Sequence, residues 1–156
     1  MELLMSTDGI GKQAAMQIIA ETGADMKAFE NSGKLTGWTG LRPRNDESAG
    51  KYKSTSVTHG NKYLRRIMVQ CAWAAARTKG SFYKSKFEQL CVRKSRKKAL
   101  IAIARKLLTV VWHVLIENKP FNPHLLPVYD PRRMQMKVNY HRKEIEKLEK
   151  LGYGIT

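Results

Sequence analysis

Ser48 is the side chain of this sequence whose neighbours best suit nucleophilic chemistry at a phosphate. It precedes Ala49-Gly50, where the backbone can turn sharply and where small residues let a bulky partner approach the hydroxyl. The surrounding segment, 41–58, is predicted to be a basic, Ser-rich loop, because its cations favour water or a phosphate over burial. These cations are Arg42, Arg44, Lys51 and Lys53.

The sequence provides no obvious activator for this hydroxyl. A serine is a weak nucleophile until a base or a metal ion activates it. Asp46 and Glu47 are adjacent, but carboxylates in a loop are usually solvated, and His59 is too far along the chain to be argued without a fold. The residues alone therefore favour an ordinary turn serine over a nucleophile.

A long helix is predicted to follow the loop, over about 59–79, because apolar residues recur there at helical spacing. Thr58 is its predicted N-cap, with Gly60 and Asn61 in the first turn. A helix start offers free N–H groups to a phosphate, whereas cations there oppose the helix dipole. We interpret the cations as an anion-binding cluster, with a solvated basic face as the alternative. They are Lys62, Arg65 and Arg66.

A second phosphate-binding element is predicted at about 3–22. Gly9 and Gly11 form a tight turn between two helical segments, and Lys12 opens the second, which is the pattern of a helix-hairpin-helix element. Glycines let backbone N–H groups face a phosphate, and the helix start adds its dipole. Asp8 places a negative charge beside the turn, so a purely structural hairpin is an equal alternative.

A basic corner is predicted between helices at about 82–92 and 95–118. From Lys79 to Lys106 the chain has ten basic residues and one acid, Glu88. The corner is either solvated or in contact with a nucleic-acid backbone, and the overall charge favours the second reading. Its predicted binding residues are Arg93, Lys94, Arg96, Lys97 and Lys98.

The charge balance indicates a polyanionic partner. The 156 residues include 29 Lys and Arg against 13 Asp and Glu, a net charge of +16. Nucleic acid is the leading candidate, and an anionic membrane surface is second. Residues 99–116 approach membrane-spanning length, but charged residues interrupt them, so a buried core helix is expected. We therefore expect no membrane partner.

Cysteine usage indicates a reducing, cytoplasmic setting. Cys71 and Cys91 lie among helical residues and are interpreted as buried, reduced thiols. No Cys and His spacing suggests zinc, and no metal or other cofactor is predicted in this chain.

The remaining segments complete an all-α prediction, because no stretch alternates as a strand does. Trp38 is predicted to anchor the core, with stacking on a base as the alternative. Prolines make 119–129 an extended linker after a domain at 1–118. A last amphipathic helix, 130–151, starts at Asp130-Pro131 and indicates a homo-oligomer or pairing with an upstream helix. Its coiled-coil seam is Met134, Val138, His141, Ile145 and Leu148.

An ordered set of motifs over about 3–118 resembles the C-terminal transposase domain of the IS110 family of insertion-sequence transposases. The hairpin comes first, then Trp-Thr-Gly-Leu-Arg-Pro at 38–43 and Glu-Ser-Ala-Gly at 47–50. Gly-Asn-Lys-Tyr-Leu-Arg-Arg at 60–66 follows, and then Lys-Lys-Ala at 97–99 and Ala-Arg-Lys at 104–106. Asp8 departs from the proline that is usual in the family's hairpin.

The resemblance implies more than the residues do. Ser48 matches the family's nucleophilic serine, which would form a transient serine–phosphate link to DNA. The family has an upstream RuvC-like domain whose four carboxylates bind a divalent metal such as Mg²⁺, and a structured RNA directs its recombination. Residues 1–5 look like the end of a helix, so we expect that upstream part to be missing and this fragment alone to be inactive.

Three functions follow as hypotheses. The first is part of a transposase that binds DNA and supplies Ser48 for strand cleavage and rejoining. The alternative is a non-catalytic helix-hairpin-helix module that binds nucleic acid, and the third is an assembly domain built on the coiled-coil seam. The first two imply a prokaryotic cytoplasmic protein associated with the nucleoid.

Overall fold

A computed structural model describes residues 1–43, 46–48, 51–54, 56–57, 59–122 and 131–150 of the chain. The side chains of 46–48, 51–54, 131–138 and 141 lie outside that description. The chain divides into two compact units, Met1–Phe121 and Asn122–Thr156.

Helices make up most of the described structure, so the predicted all-α class is confirmed. A 3₁₀ turn at Met26–Ala28 is capped by Asp25, because the Asp25 carboxylate accepts a hydrogen bond from the Lys27 N–H. The α-helices of the described residues are α1 Glu2–Met5, α2 Lys12–Thr22, α3 Ser32–Trp38, α4 Lys62–Arg77, α5 Phe82–Cys91, α6 Arg96–Glu117 and α7 Pro131–Lys150.

α6 is the central helix of the first unit. It packs against α1, α3, α4 and α5, and Ile103, Leu107 and Val111 on its inner face are fully buried. Its length and apolar composition would also suit a membrane span. Burial against four other helices instead confirms the core helix predicted for residues 99–116.

α4 is the second main helix of the core. It packs on α6, α2 and α5, and its predicted apolar face is buried, including Leu64, Met68 and Cys71. Removal from water raises the pKa of the Cys71 thiol to about 11, because burial disfavours the thiolate. Cys71 is thus a protonated core residue at neutral pH and is buried as predicted, whereas Cys91 is only half-buried.

A short hairpin replaces part of the loop predicted at 41–58. Strands β1 (Asp46–Ser48) and β2 (Lys51–Ser54) pair antiparallel, and Pro43 forms an isolated bridge with Val57 below them. No strand has good support in the sequence, and the hairpin adds only two short strands to an otherwise helical unit. Strands of three and four mostly polar residues are too short to show the alternation by which strands are recognised.

The two ends of the first unit meet. After α1, the Ser6 hydroxyl oxygen accepts a hydrogen bond of 2.8 Å from the Phe121 N–H. The Phe121 ring stacks on Tyr83, with centroids 5.9 Å apart. The start and the end of this unit are therefore fastened to the same part of its core.

The second unit contains α7. Ile145 and Leu148, two residues of the predicted seam, are 42% and 44% exposed. The other three seam side chains lie outside the described residues, as do Asp130 and most of the predicted linker. The coiled-coil pairing of this helix stays a prediction.

Candidate nucleic-acid interface

Asn61, rather than Thr58, caps α4. Its side-chain oxygen accepts hydrogen bonds from the N–H groups of Tyr63 at 2.9 Å and Leu64 at 3.0 Å. The helix consequently begins at Lys62. The predicted start near residue 59 was too early, and Thr58 itself lies outside the described residues.

Asn61 also connects α4 to two other elements. Its side-chain amide donates a hydrogen bond of 2.7 Å to the Glu21 carboxylate on α2. Its backbone N–H donates one of 2.9 Å to the carbonyl of Trp38 at the end of α3. One residue thus fixes the relative positions of α2, α3 and α4.

Gly60 lets two backbone segments touch at this junction. A Cβ atom there would overlap the Trp38 carbonyl oxygen and the Gly40 nitrogen. Only glycine lacks that atom, so the chain entering α4 can lie directly on the segment that leads towards the hairpin. We call the contacts of Gly60 and Asn61 with Trp38, Gly40 and Glu21 the α4 junction.

The hairpin carrying Ser48 is therefore anchored beside the first turn of α4. Ser48 is the last residue of β1 and pairs with Lys51. The bridge between Pro43 and Val57 closes the base of the hairpin, and the α4 junction holds the flanking segments. Exposed Arg42 and the start of α4 share this region, and the predicted cations on α4 are exposed or half-buried. They are Lys62, Arg65 and Arg66.

Some predicted contacts of this region lie outside the description. Arg44 is one, and the side chains of Ser48, Lys51 and Lys53 are others. The start of α4 offers fewer free N–H groups than its sequence suggests. Asn61 already bonds two of the N–H groups that the sequence offered to a phosphate, so an anion here would depend on the cationic side chains.

The predicted helix-hairpin-helix segment contains two glycines with different environments. Gly9 has φ +85° in a turn closed by the Ile10 N–H donating to the Thr7 carbonyl at 3.1 Å. A Cβ at Gly9 would lie 2.6 Å from the Ala75 nitrogen on α4. Packing against α4 thus explains this glycine, and its part in nucleic-acid binding stays a prediction.

Gly11 faces open space instead. It is the N-cap of α2, no side chain caps that helix start, and a Cβ at Gly11 would meet nothing within 4 Å. Lys12, the next residue, is exposed. This end of α2 has the open N–H groups and the cation that suit a phosphate.

The Gly9–Gly11 turn and the start of α4 lie at opposite ends of the pair formed by α2 and α4. Gly9 touches α4 near Ala75, and Glu21 bonds Asn61, so α2 runs antiparallel along α4. Fourteen residues of helix separate those levels, or about 21 Å at 1.5 Å per residue. The fold does not bring Gly11 and Lys12 to the base of the Ser48 hairpin.

The basic corner lies where it was predicted, between α5 and α6. Ser95 is the N-cap of α6 and makes no side-chain capping hydrogen bond. All five cations named for the corner are exposed.

Trp38 does not anchor the core. It is 42% exposed and rests on the Phe29 ring, with centroids 5.5 Å apart, while Leu35 and Leu41 are buried in the place predicted for it. Leu35, Thr36 and Thr39 form the buried side of this segment, and at about 100° per residue Trp38 lies outside that side.

The sequence reasoning missed a row of exposed side chains on α4. We call it the α4 stripe: Tyr63, Arg66, Gln70, Trp73 and Arg77. The signal was present, because the intervals of three, four, three and four residues place all five on one face of a helix.

The divalent metal implied by the family resemblance has no ligand set in the described part of the chain. No group of three or more His, Cys, Asp or Glu side chains there could hold a metal ion. No chemical step is therefore assigned to a metal bound by these residues.

Comparison with known proteins identifies related sequences. An uncharacterized 42 kDa protein of insertion element IS900 from Mycobacterium paratuberculosis is 30% identical over 125 residues, 78% of this chain and 31% of that protein. The pilin gene-inverting protein of Moraxella bovis is 29% identical over 126 residues, 79% of this chain and 39% of that protein.

The transposase for insertion sequence element IS1111A from Coxiella burnetii is 27% identical over 122 residues, 76% of this chain and 33% of that protein. The chain thus spans about a third of the length of these relatives. Residues 1–87, more than half of the chain, match the family described as transposase IS116/IS110/IS902. The chain belongs to this family of insertion-sequence transposases.

Proposed function

We propose that this chain is the part of a transposase that binds DNA and supplies Ser48 as the nucleophile for strand cleavage and rejoining. One observation carries the proposal. Ser48 is the last residue of β1, and its hairpin is anchored by the α4 junction beside the start of α4, which bears three cations. Membership of the transposase family and a net charge of +16 support it.

The reaction balances without an external energy source. The Ser48 oxygen would form a bond to a backbone phosphorus while one bond from that phosphorus to a sugar oxygen breaks. The serine proton passes to a base, and the departing sugar oxygen takes up a proton. A hydroxyl of another strand end then attacks the phosphorus of the serine–phosphate link, the bond from that phosphorus to the Ser48 oxygen breaks, and a phosphodiester is restored. The attacking hydroxyl loses its proton to a base, and the Ser48 oxygen takes up a proton.

The chain's cations would hold the phosphate in place. Charge-assisted contacts from arginine and lysine stabilise the charge that gathers on a transferring phosphoryl group. We assign this role to Arg42, Arg44, Lys51, Lys53 and Arg65. Phosphate contacts farther from the reaction are assigned to Lys62, Arg66, Gly11, Lys12 and the basic corner.

Further parts of the reaction are assigned to partners. A divalent metal would be bound by an upstream RuvC-like domain of a longer protein, and a structured guide RNA would direct the DNA choice. The exposed seam residues Ile145 and Leu148 would support a homo-oligomer. A DNA-bound protein of this kind would be associated with the prokaryotic nucleoid.

The deciding experiment uses the full-length transposase that contains this chain, with Mg²⁺ and a cognate DNA junction. A denaturing gel should show a covalent protein–DNA adduct with the native protein and none with Ser48→Ala, while DNA affinity stays within about twofold. Ser54→Ala, on the other strand of the same hairpin, is the matched control and should retain the adduct.

An adduct that survives Ser48→Ala, or cleavage by the native protein without any adduct, would remove Ser48 as the nucleophile. The alternative is then a non-catalytic module that binds nucleic acid through its helix-hairpin-helix segment. The open start of α2 at Gly11 favours that candidate. It predicts that Lys12→Glu weakens DNA binding several-fold, whereas Ser48→Ala changes neither binding nor cleavage.

A further inference from the structure

The α4 stripe places two exposed aromatic rings in line with two arginines and one glutamine. Tyr63 is 56% exposed and Trp73 is 40% exposed. Large aromatic side chains usually bury most of their surface, so two such rings on one face of a core helix call for a partner. Tyr63 and Arg77 lie about 21 Å apart along the helix.

Neighbouring cations hold both rings. The Lys62 ammonium lies 5.3 Å from the centre of the Tyr63 ring, and the Arg77 guanidinium lies 4.7 Å from the centre of the Trp73 ring. Phe87 of α5 supports Trp73 from the side, with centroids 6.3 Å apart. These contacts restrict the side chains before a partner arrives, which lowers the entropy lost on binding.

The charge of the helix selects a polyanion. α4 contains Lys62, Arg65, Arg66 and Arg77 but no Asp or Glu. Tyrosine, tryptophan and arginine also dominate protein–protein contacts, but a helix with four cations and no acid would repel a second copy of the same face. Aromatic rings alternating with arginines are instead typical of surfaces that bind single strands.

We propose that the α4 stripe binds a nucleic-acid strand with unpaired bases. Tyr63 and Trp73 stack on bases, and Arg66 and Arg77 contact the backbone between and beyond them. The rings are ten residues apart, about 15 Å along the helix, so the two stacked bases would be separated by several nucleotides of the bound strand. The inference rests on the proposed function and adds to it the class of nucleic acid and the residues.

The test measures binding of the 156-residue chain to a labelled single strand of DNA with twelve nucleotides and to a DNA duplex of the same sequence. Fluorescence anisotropy at fixed salt gives both affinities. Replacing both rings, Tyr63→Leu with Trp73→Leu, should weaken single-strand binding by about tenfold or more and duplex binding by less than about twofold. The pair Tyr63→Phe with Trp73→Phe retains aromatic faces and should stay within about threefold of wild type on the single strand.

A charge-matched pair separates this face from general attraction. Arg77→Gln and Arg105→Gln each remove one exposed cation, from α4 and α6 respectively. Only Arg77→Gln should weaken single-strand binding beyond the effect of lost charge. Circular dichroism confirms that the leucine pair is folded, and the phenylalanine pair tests the aromatic requirement independently.

Each contrary result has its own meaning. Equal losses on both ligands with the leucine pair would show that the stripe does not read unpaired bases. Unchanged binding with an altered sedimentation coefficient would make the stripe a protein interface. Wild-type binding to duplex but not to single strand overturns this inference and leaves the proposed function standing. Binding to neither ligand overturns both.

Discussion

The two glycine-containing turns that contact α4 differ in whether the helix start beside them is capped. At the α4 junction, Gly60 lets two backbones touch and Asn61 bonds the first N–H groups of the helix. At the start of α2, Gly9 packs on α4, but Gly11 leaves the N–H groups of its own helix without a side-chain cap. One helix start is closed by the protein, and the other is open.

The difference separates two ways of binding an anion. An open helix start offers backbone N–H groups and a dipole, with little dependence on side chains. A capped start has already bonded those groups, so its affinity for phosphate must come from lysine and arginine. We therefore expect binding near Ser48 to be the more sensitive to salt and to the removal of cations.

The substitution with the largest expected effect, Gly60→Ala, disrupts the α4 junction. A methyl group at Gly60 meets backbone atoms on Trp38 and Gly40, which cannot move aside as a flexible side chain would. We expect Gly60→Ala to lower the free energy of unfolding by about 3 kcal/mol or more. Urea unfolding followed by circular dichroism measures it.

The control is Gly37→Ala in α3, where a Cβ meets nothing within 4 Å. Alanine suits a helix better than glycine, so this variant should gain about 0.5–1 kcal/mol. A loss at Gly37 as large as that at Gly60 would show that the close backbone contact is not the cause.

A smaller effect opens the capped helix start. Asn61→Ala removes the cap from two N–H groups and leaves the Glu21 carboxylate without its amide donor. We expect a loss of about 2 kcal/mol in urea unfolding. Asn31→Ala, which removes an exposed cap on α3 with one hydrogen bond, should cost only about 0.5–1 kcal/mol. Equal losses would contradict the role of Asn61 as a link between helices.

The smallest effect closes the open helix start. Gly11→Ser places a hydroxyl where it can accept from the first N–H groups of α2, so stability should rise by a few tenths of a kcal/mol. If those groups bind phosphate, the new cap competes with the phosphate for them. Losing about 0.6 kcal/mol of binding free energy in this way would lower DNA affinity about threefold. Gly11→Ala adds a methyl group without an oxygen and should keep its DNA affinity. Unchanged affinity in the serine variant would assign this turn a structural role only.

Local patterns were sufficient for most of the fold. The helices at about 82–92 and 95–118 and the buried face of α4 follow from spacing and side-chain type. The start of α4 does not, because Thr58 and Asn61 are both good caps. The choice between them depends on contacts with Trp38 and Glu21, which are distant in the sequence.

The candidate site was less accessible from the sequence. The hairpin is too short and too polar to show strand alternation, and Ser48 resembles any turn serine unless the family pattern is considered. Periodicity identifies the inner face of α4 by its apolar residues. The outer face has the same helical spacing in the α4 stripe, but spacing alone does not show that the Tyr63 and Trp73 rings are exposed.

The hydrogen bond between Ser6 and Phe121 has a mechanical consequence. Because residues near the start and the end of the first unit meet here, a force that pulls these two ends apart would load this contact and the Tyr83–Phe121 stack first. The helices carrying the hairpin would be spared the strain.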